Sequence, residues 1–124
     1  MTTEALRVSP MMVLPEIGEA VARWSAMGFS VTESGDPDCV GMAAGDTCLL
    51  LVGRRLAERE YGLAVASRLE GATVPYAYVR SLDAALSTVA PESVLTVAET
   101  SYGTREAVVA SAGSLSVLVE KRVM

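Results

Sequence analysis

The stretch LRVSPMMVLPEIGEAVARWSAMGF, residues 6–29, decides the fold. Its first part, Leu6 to Leu14, is short, apolar and partly β-branched, which reads as a strand. Pro10 lies inside it, so this is an edge strand, or the missing N–H falls where no ladder bond is needed. Pro15-Glu16 then opens a helix, with proline at an early helical position and an acid in the first turn. Ile17, Ala20, Val21, Trp24 and Met27 recur at i, i+3, i+4, i+7 and i+10, one apolar helical face. Gly28 ends the helix as a C-terminal cap, and Phe29 is placed to pack back on the last turn.

Strands follow at Ser30 to Glu33, Cys39 to Ala43 and Thr47 to Val52, separated by turns at Ser34-Gly35-Asp36-Pro37-Asp38 and Gly45-Asp46. Between Arg54 and Leu69, the apolar positions Leu56, Tyr61, Leu63 and Val65 keep no single period, which reads as a linker with some helix. Then the plan recurs. A strand carrying an internal proline, ATVPYAYV, starts at Ala72, and Ser81-Leu82-Asp83 caps a helix from Ala84 to Val89 that Ala90-Pro91 stops. Strands are expected at Val94 to Thr100, Arg105 to Ala110 and Leu115 to Glu120, with turns at Tyr102-Gly103 and Ser111 to Ser114. Pro10 and Pro75 mark the repeat, about 65 residues apart.

The expected fold is therefore α+β: one domain of 124 residues built from two βαβββ modules, about 5–53 and 72–121, joined by a linker over about 54–71. Each module has a small sheet with a helix on one face. The other faces, joined, would form a curved mixed sheet around a cavity, with the helices outside.

Composition narrows the function. Hydrophobic residues make up 51% and aromatics 5%, so the core is mainly Val, Leu, Ala and Met. The net charge of −5 argues against a nucleic-acid face, since Arg54-Arg55 and Arg59 are interrupted by Glu58 and Glu60. No run approaches the ~18 apolar residues of a membrane helix. Met1-Thr2-Thr3-Glu4 has neither a basic start nor an apolar stretch, and Cys39 and Cys48 form no CxxC, so the reading is a cytoplasmic protein with reduced thiols. With no histidine, Ser–His–Asp and Cys–His catalysis are excluded. Asp36 and Asp38 fall in a turn and read as solvated, and Gly41, Gly45 and Gly53 make no phosphate loop.

The order of elements and several short motifs resemble the vicinal oxygen chelate superfamily, which includes glyoxalase I, extradiol dioxygenases and bleomycin-resistance proteins. The resemblance covers nearly the whole chain. It is carried by Val13-Leu14-Pro15-Glu16, Ala22-Arg23-Trp24 and Met27-Gly28-Phe29 in the first half. In the second half it is carried by Val79-Arg80-Ser81-Leu82-Asp83-Ala84-Ala85-Leu86, and by Tyr102-Gly103-Thr104-Arg105-Glu106-Ala107 followed by Gly113 and Leu115. Where the family has Asp-Pro-Asp before its last turn, this chain has Ala110-Ser111-Ala112.

Metal-dependent members of that superfamily hold a divalent cation with His, Gln or Glu from four strands. Those positions fall here on Ser9, the Leu49–Leu51 region, Tyr76 and Val117, none of which is such a ligand, and alternation turns Glu120 away from Val117. The resemblance then implies no metal, no cofactor and no catalytic residue. It implies a small-molecule binding protein that sequesters an antibiotic or another aromatic or hydrophobic ligand, and that forms a homodimer.

Alternation from the lost ligand positions turns Arg7, Ser9 and Met11 inward on the first strand, Tyr76 and Tyr78 on the fifth, and Val117 and Val119 on the last. Ser9, Met11, Tyr76, Tyr78, Tyr102, Arg105 and Val117 are the expected ligand contacts, with Tyr102 and Arg105 at the cavity mouth. The same side chains could fill a dry core or a dimer seam, and Arg105 could salt-bridge a surface Glu. A glyoxalase-like lyase or isomerase, or a dioxygenase, using Tyr or Arg groups for proton transfer stays open as the alternative.

Overall fold

A computed structural model describes residues 4–121, the side chains of residues 33–35 excepted. The chain is α+β and divides into two compact units, residues 9–73 and residues 4–8 with 74–121. Met1-Thr2-Thr3, used above to judge a leader, lie outside the described residues.

The 9–73 unit contains most of β1 (Ala5–Leu14), then α1 (Gly18–Ala26), β2 (Ser30–Asp36), β3 (Cys39–Ala44) and β4 (Thr47–Gly53). Its strands lie in the order β2-β3-β4-β1. β3 and β4 form an antiparallel hairpin, turned at Gly45 with φ 60°, and β1 runs parallel to β4 from Met11↔Leu50 to Leu14↔Gly53. That ladder begins one residue after Pro10, so proline's missing N–H costs it no bond. Val40, Met42, Leu49 and Leu51 point to one side and form a core with Ile17, against which Ala20, Val21 and Trp24 of α1 pack. Each such side chain taken fully out of water contributes about 1.5–3 kcal/mol.

The end of α1 follows from its sequence. Phe29 N–H donates to Trp24 O at 3.0 Å and Gly28 N–H to Ser25 O at 3.1 Å, the paired bonds of a Schellman cap. Gly28 takes φ 101°, which an L side chain resists, and the Phe29 ring meets Trp24 edge to face at 5.3 Å.

Residues 54–71 hold more structure than a linker. They form α2 (Arg54–Tyr61) and α3 (Leu63–Leu69), which bury Leu56, Ala57 and Tyr61, and Val65, Ala66 and Leu69. Gly62 between them, at φ 92° and ψ 160°, resets the helical phase, which is why no single period ran through the segment. Arg54 clamps the pair, its guanidinium donating to Glu58 at 2.7 Å, Glu70 at 2.6 Å and Ser67 at 2.9 Å. Chiefly the Glu70 bond holds the Arg54 guanidinium above its ordinary pKa.

The 74–121 unit contains most of β5 (Thr73–Val79), then α4 (Leu82–Leu86), a short 3-10 turn (Pro91–Ser93), β6 (Val94–Glu99), β7 (Thr104–Ser111) and β8 (Ser114–Lys121), in strand order β5-β8-β7-β6. Here too the strand before the helix runs parallel to the unit's last strand, and the ladder opens at Tyr76↔Val117, directly after Pro75. α4 covers the face carrying Val79, Ala107 and Val109 through Leu82 and Ala85. Its N-terminus is capped twice: Ser81 Oγ accepts from Ala84 N–H at 3.1 Å, and Glu120 Oε1 accepts from Leu82 N–H at 2.6 Å.

Three elements differ in extent from expectation. α1 begins at Gly18 behind Ile17 as its N-cap, so Pro15-Glu16 precede the helix and do not open it. β2 continues to Asp36 rather than Glu33, because two register shifts against β3 carry pairing through turn-type residues to Asp36↔Cys39. α4 stops at Leu86 rather than Val89, because Ser87 and Thr88 hydroxyls take the Ala84 and Ala85 carbonyls, each at 2.6 Å. Cys39 pairs with Val52 and Cys48 with Ala43, at opposite ends of one hairpin and not in a disulfide. No helix among the described residues is long and apolar enough to cross a membrane.

Candidate ligand site

The face of the 74–121 unit away from α4 carries the polar chemistry. Cross-strand pairing sets Tyr76, Val117 and Val108 in one row, and Tyr78, Val119 and Glu106 in the next. Partners in a ladder share a face, so β5, β8 and β7 present these six side chains to the same side. Val108, Val117, Val119 and Glu106 are 0% exposed. A carboxylate so deeply buried needs hydrogen-bond donors.

Glu106 has them. Its Oε2 accepts from the Tyr76 hydroxyl at 2.5 Å and from the Thr104 hydroxyl at 2.6 Å. Thr104 and Thr100 hydroxyls lie 2.7 Å apart, which extends the chain of polar groups toward the exposed turn at Ser101–Gly103. Burial, and then the negative charge and hydrogen bond of Glu106, push the Tyr76 phenol far above its ordinary value of 10.0, with Tyr102 and Tyr78 adding in the same direction. Tyr76 therefore stays neutral. Its ring meets the Tyr78 ring edge to face, centroids 5.5 Å apart at 83°, and the Arg7 guanidinium sits 4.7 Å over Tyr78.

Of the expected contacts, Tyr76, Tyr78 and Val117 come together on this face. Tyr102 lies in the exposed turn beside it and is 42% exposed. Arg105 does not join them: alternation turns it to the α4 side, where its guanidinium donates to Asp83 at 3.0 Å. Ser9 and Met11 are buried in the 9–73 unit, on the side of β1 away from α1. Leu50, in the region matched to a metal ligand, pairs with Met11, and Val117 pairs with Tyr76. Glu120 is taken up as the cap of α4. Among the described residues no group of three His, Cys, Asp or Glu side chains could hold a metal ion.

No protein-family model and no curated protein matches this sequence.

Sequence reading missed Glu106 and Thr104. The available signal was a lone acid inside an otherwise apolar strand, Glu106-Ala107-Val108-Val109, at the parity opposite to Arg105. Only the β7–β8 register shows that this parity is the one shared with Tyr78.

Proposed function

We propose that this chain is a metal-independent small-molecule binding protein of the vicinal oxygen chelate kind. On this reading its two units are βαβββ modules, with the curved sheet and cavity that the resemblance implies. It holds a flat aromatic or hydrophobic ligand without turning it over, as an antibiotic-sequestering protein would, and it works as a homodimer. The observation that carries this reading is the Tyr76–Tyr78 pair, set among Val108, Val117 and Val119 with one polar anchor, Glu106, behind it. Aromatic walls with few, fixed polar groups suit a planar ligand.

A thermal-shift screen tests it, with Mn, Ni and Zn ions beside bleomycin-like, quinone and aromatic peptide antibiotics. Binding to the native state raises the midpoint by mass action. The expected result is a rise with an organic ligand and none with the metals. A rise with metals alone would return the metal-dependent reading.

One observation favours the alternative of a lyase, isomerase or dioxygenase with an atypical site. A buried carboxylate in contact with a phenol is an arrangement that proton transfer can use. That reading requires turnover that Tyr76→Phe abolishes while the variant stays folded.

A further inference from the structure

A phenol oxygen carries one hydrogen and two lone pairs. In this protein the Tyr76 hydrogen is committed: it points at Glu106 Oε2, 2.5 Å away, and the Thr104 hydroxyl donating to the same oxygen helps to fix that carboxylate in place. What Tyr76 has left to offer is its lone pairs. Glu106 is wholly buried and Tyr76 keeps 5% of its surface exposed, so on the binding reading the ligand meets Tyr76 and not the carboxylate.

We propose that Glu106 is a specificity-determining residue, which turns Tyr76 into a pure hydrogen-bond acceptor and selects neutral or cationic aromatic ligands that bear an N–H or O–H donor. The inference rests on the binding reading above and deepens it. A ligand presenting only an acceptor, such as an ether or carbonyl oxygen, meets lone pair against lone pair at Tyr76. A buried acceptor left unpaired is the costly case, so the discrimination falls on the wrong ligand rather than on an extra bond to the right one. Burial beside the Glu106 charge works in the same direction, since it keeps the phenol proton in place.

Indole and benzofuran test it: both are flat and of nearly equal shape, but indole has an N–H donor where benzofuran has an acceptor oxygen. Affinities come from NMR chemical-shift titration of the whole chain. The expected result for the unmodified protein is indole bound roughly tenfold or more tighter than benzofuran. Tyr76→Phe brings the two affinities together. Glu106→Leu releases the Tyr76 hydrogen and brings the ratio to or below unity. Glu106→Gln, which keeps the shape and offers the phenol an N–H as well as a carbonyl, lowers the ratio if the Leu variant does not fold. Equal binding of the two probes by the unmodified protein would overturn the inference and leave the binding reading standing. Failure of both probes, together with silence in the antibiotic screen, would overturn the binding reading and this inference with it.

Discussion

The Tyr76 hydroxyl donates to Glu106 across a strand that belongs to neither residue. β8 runs between β5 and β7, and the two side chains meet over its Val117 and Val119. The bond therefore ties three strands together on a face whose middle strand, β8, contributes only the apolar Val117 and Val119 there. Removing one partner leaves the other buried and unsatisfied, so Tyr76→Phe is expected to cost about 1–3 kcal/mol. Glu106→Ala costs at least as much, because two hydroxyl donors lose their acceptor. The double variant Tyr76→Phe/Glu106→Leu loses less than the sum of its singles, by about 0.5–3 kcal/mol, since the pair acts as a unit. Urea unfolding of the four proteins checks this, and strict additivity would mean that the two groups are not coupled.

The same contact gives a pH dependence with a definite sign. The native Tyr76 phenol is held above its ordinary value of 10.0, chiefly by burial and then by Glu106. Its contribution is fully present below that value. Above it, the unfolded chain releases a proton that the native state keeps, so stability falls by about 1.4 kcal/mol per pH unit for this group. Unfolding free energies measured through alkaline pH are expected to fall with a slope smaller by one proton in Tyr76→Phe. Tyrosinate absorbance of native Tyr76→Phe should match that of the native parent. A difference between those two native titrations would show that Tyr76 ionises in the folded protein.

What was legible in the sequence was local. Gly28-Phe29 after an apolar helical face pointed to the α1 cap and to Phe29 packing back on the last turn, where it meets Trp24. Pro10 and Pro75 marked matching places, one residue ahead of each parallel ladder. Ser81 was legible as a cap because its bond closes within three residues. What was not legible depends on register between distant strands. Whether position 105 or 106 faces Tyr76 is a choice of parity, and a shift of one residue exchanges the two. Gly62 hid a helix pair for a related reason: a period read across a break averages two phases and shows neither.

The cap itself is testable. A Cβ at Gly28 would meet nothing within 4 Å, so Gly28→Ala probes backbone strain alone. At φ 101° the expected loss is about 1 kcal/mol or more. A smaller shift in the urea midpoint would mean that the helix end relaxes to another conformation.

The opposite change applies at the β7–β8 hairpin. Ser111 pairs with Ser114, and both turn residues have positive φ, Ala112 at 56° and Gly113 at 79°. Such a turn favours Asn-Gly, and an alanine there carries the steric cost of the left-handed region. Ala112→Asn is expected to stabilise the protein by about 1 kcal/mol, and Ala112→Gly by less because the unfolded chain gains freedom. Thermal midpoints of both variants check the order.

Arg105 separates the site from its surroundings. Its partner Asp83 is 81% exposed, and exposed pairs of this kind contribute little. Arg105→Ala is therefore expected to change stability by no more than about 0.5 kcal/mol. Facing α4 rather than the Tyr76 side, it should also leave the affinity of whichever ligand the screen identifies unchanged, while Tyr76→Phe weakens it. The comparison is informative because the two residues lie within one small unit and differ chiefly in the face they occupy. If Arg105→Ala weakened binding as much as Tyr76→Phe, the ligand would contact the α4 side, and the Tyr76–Tyr78–Glu106 face would lose its claim to be the site.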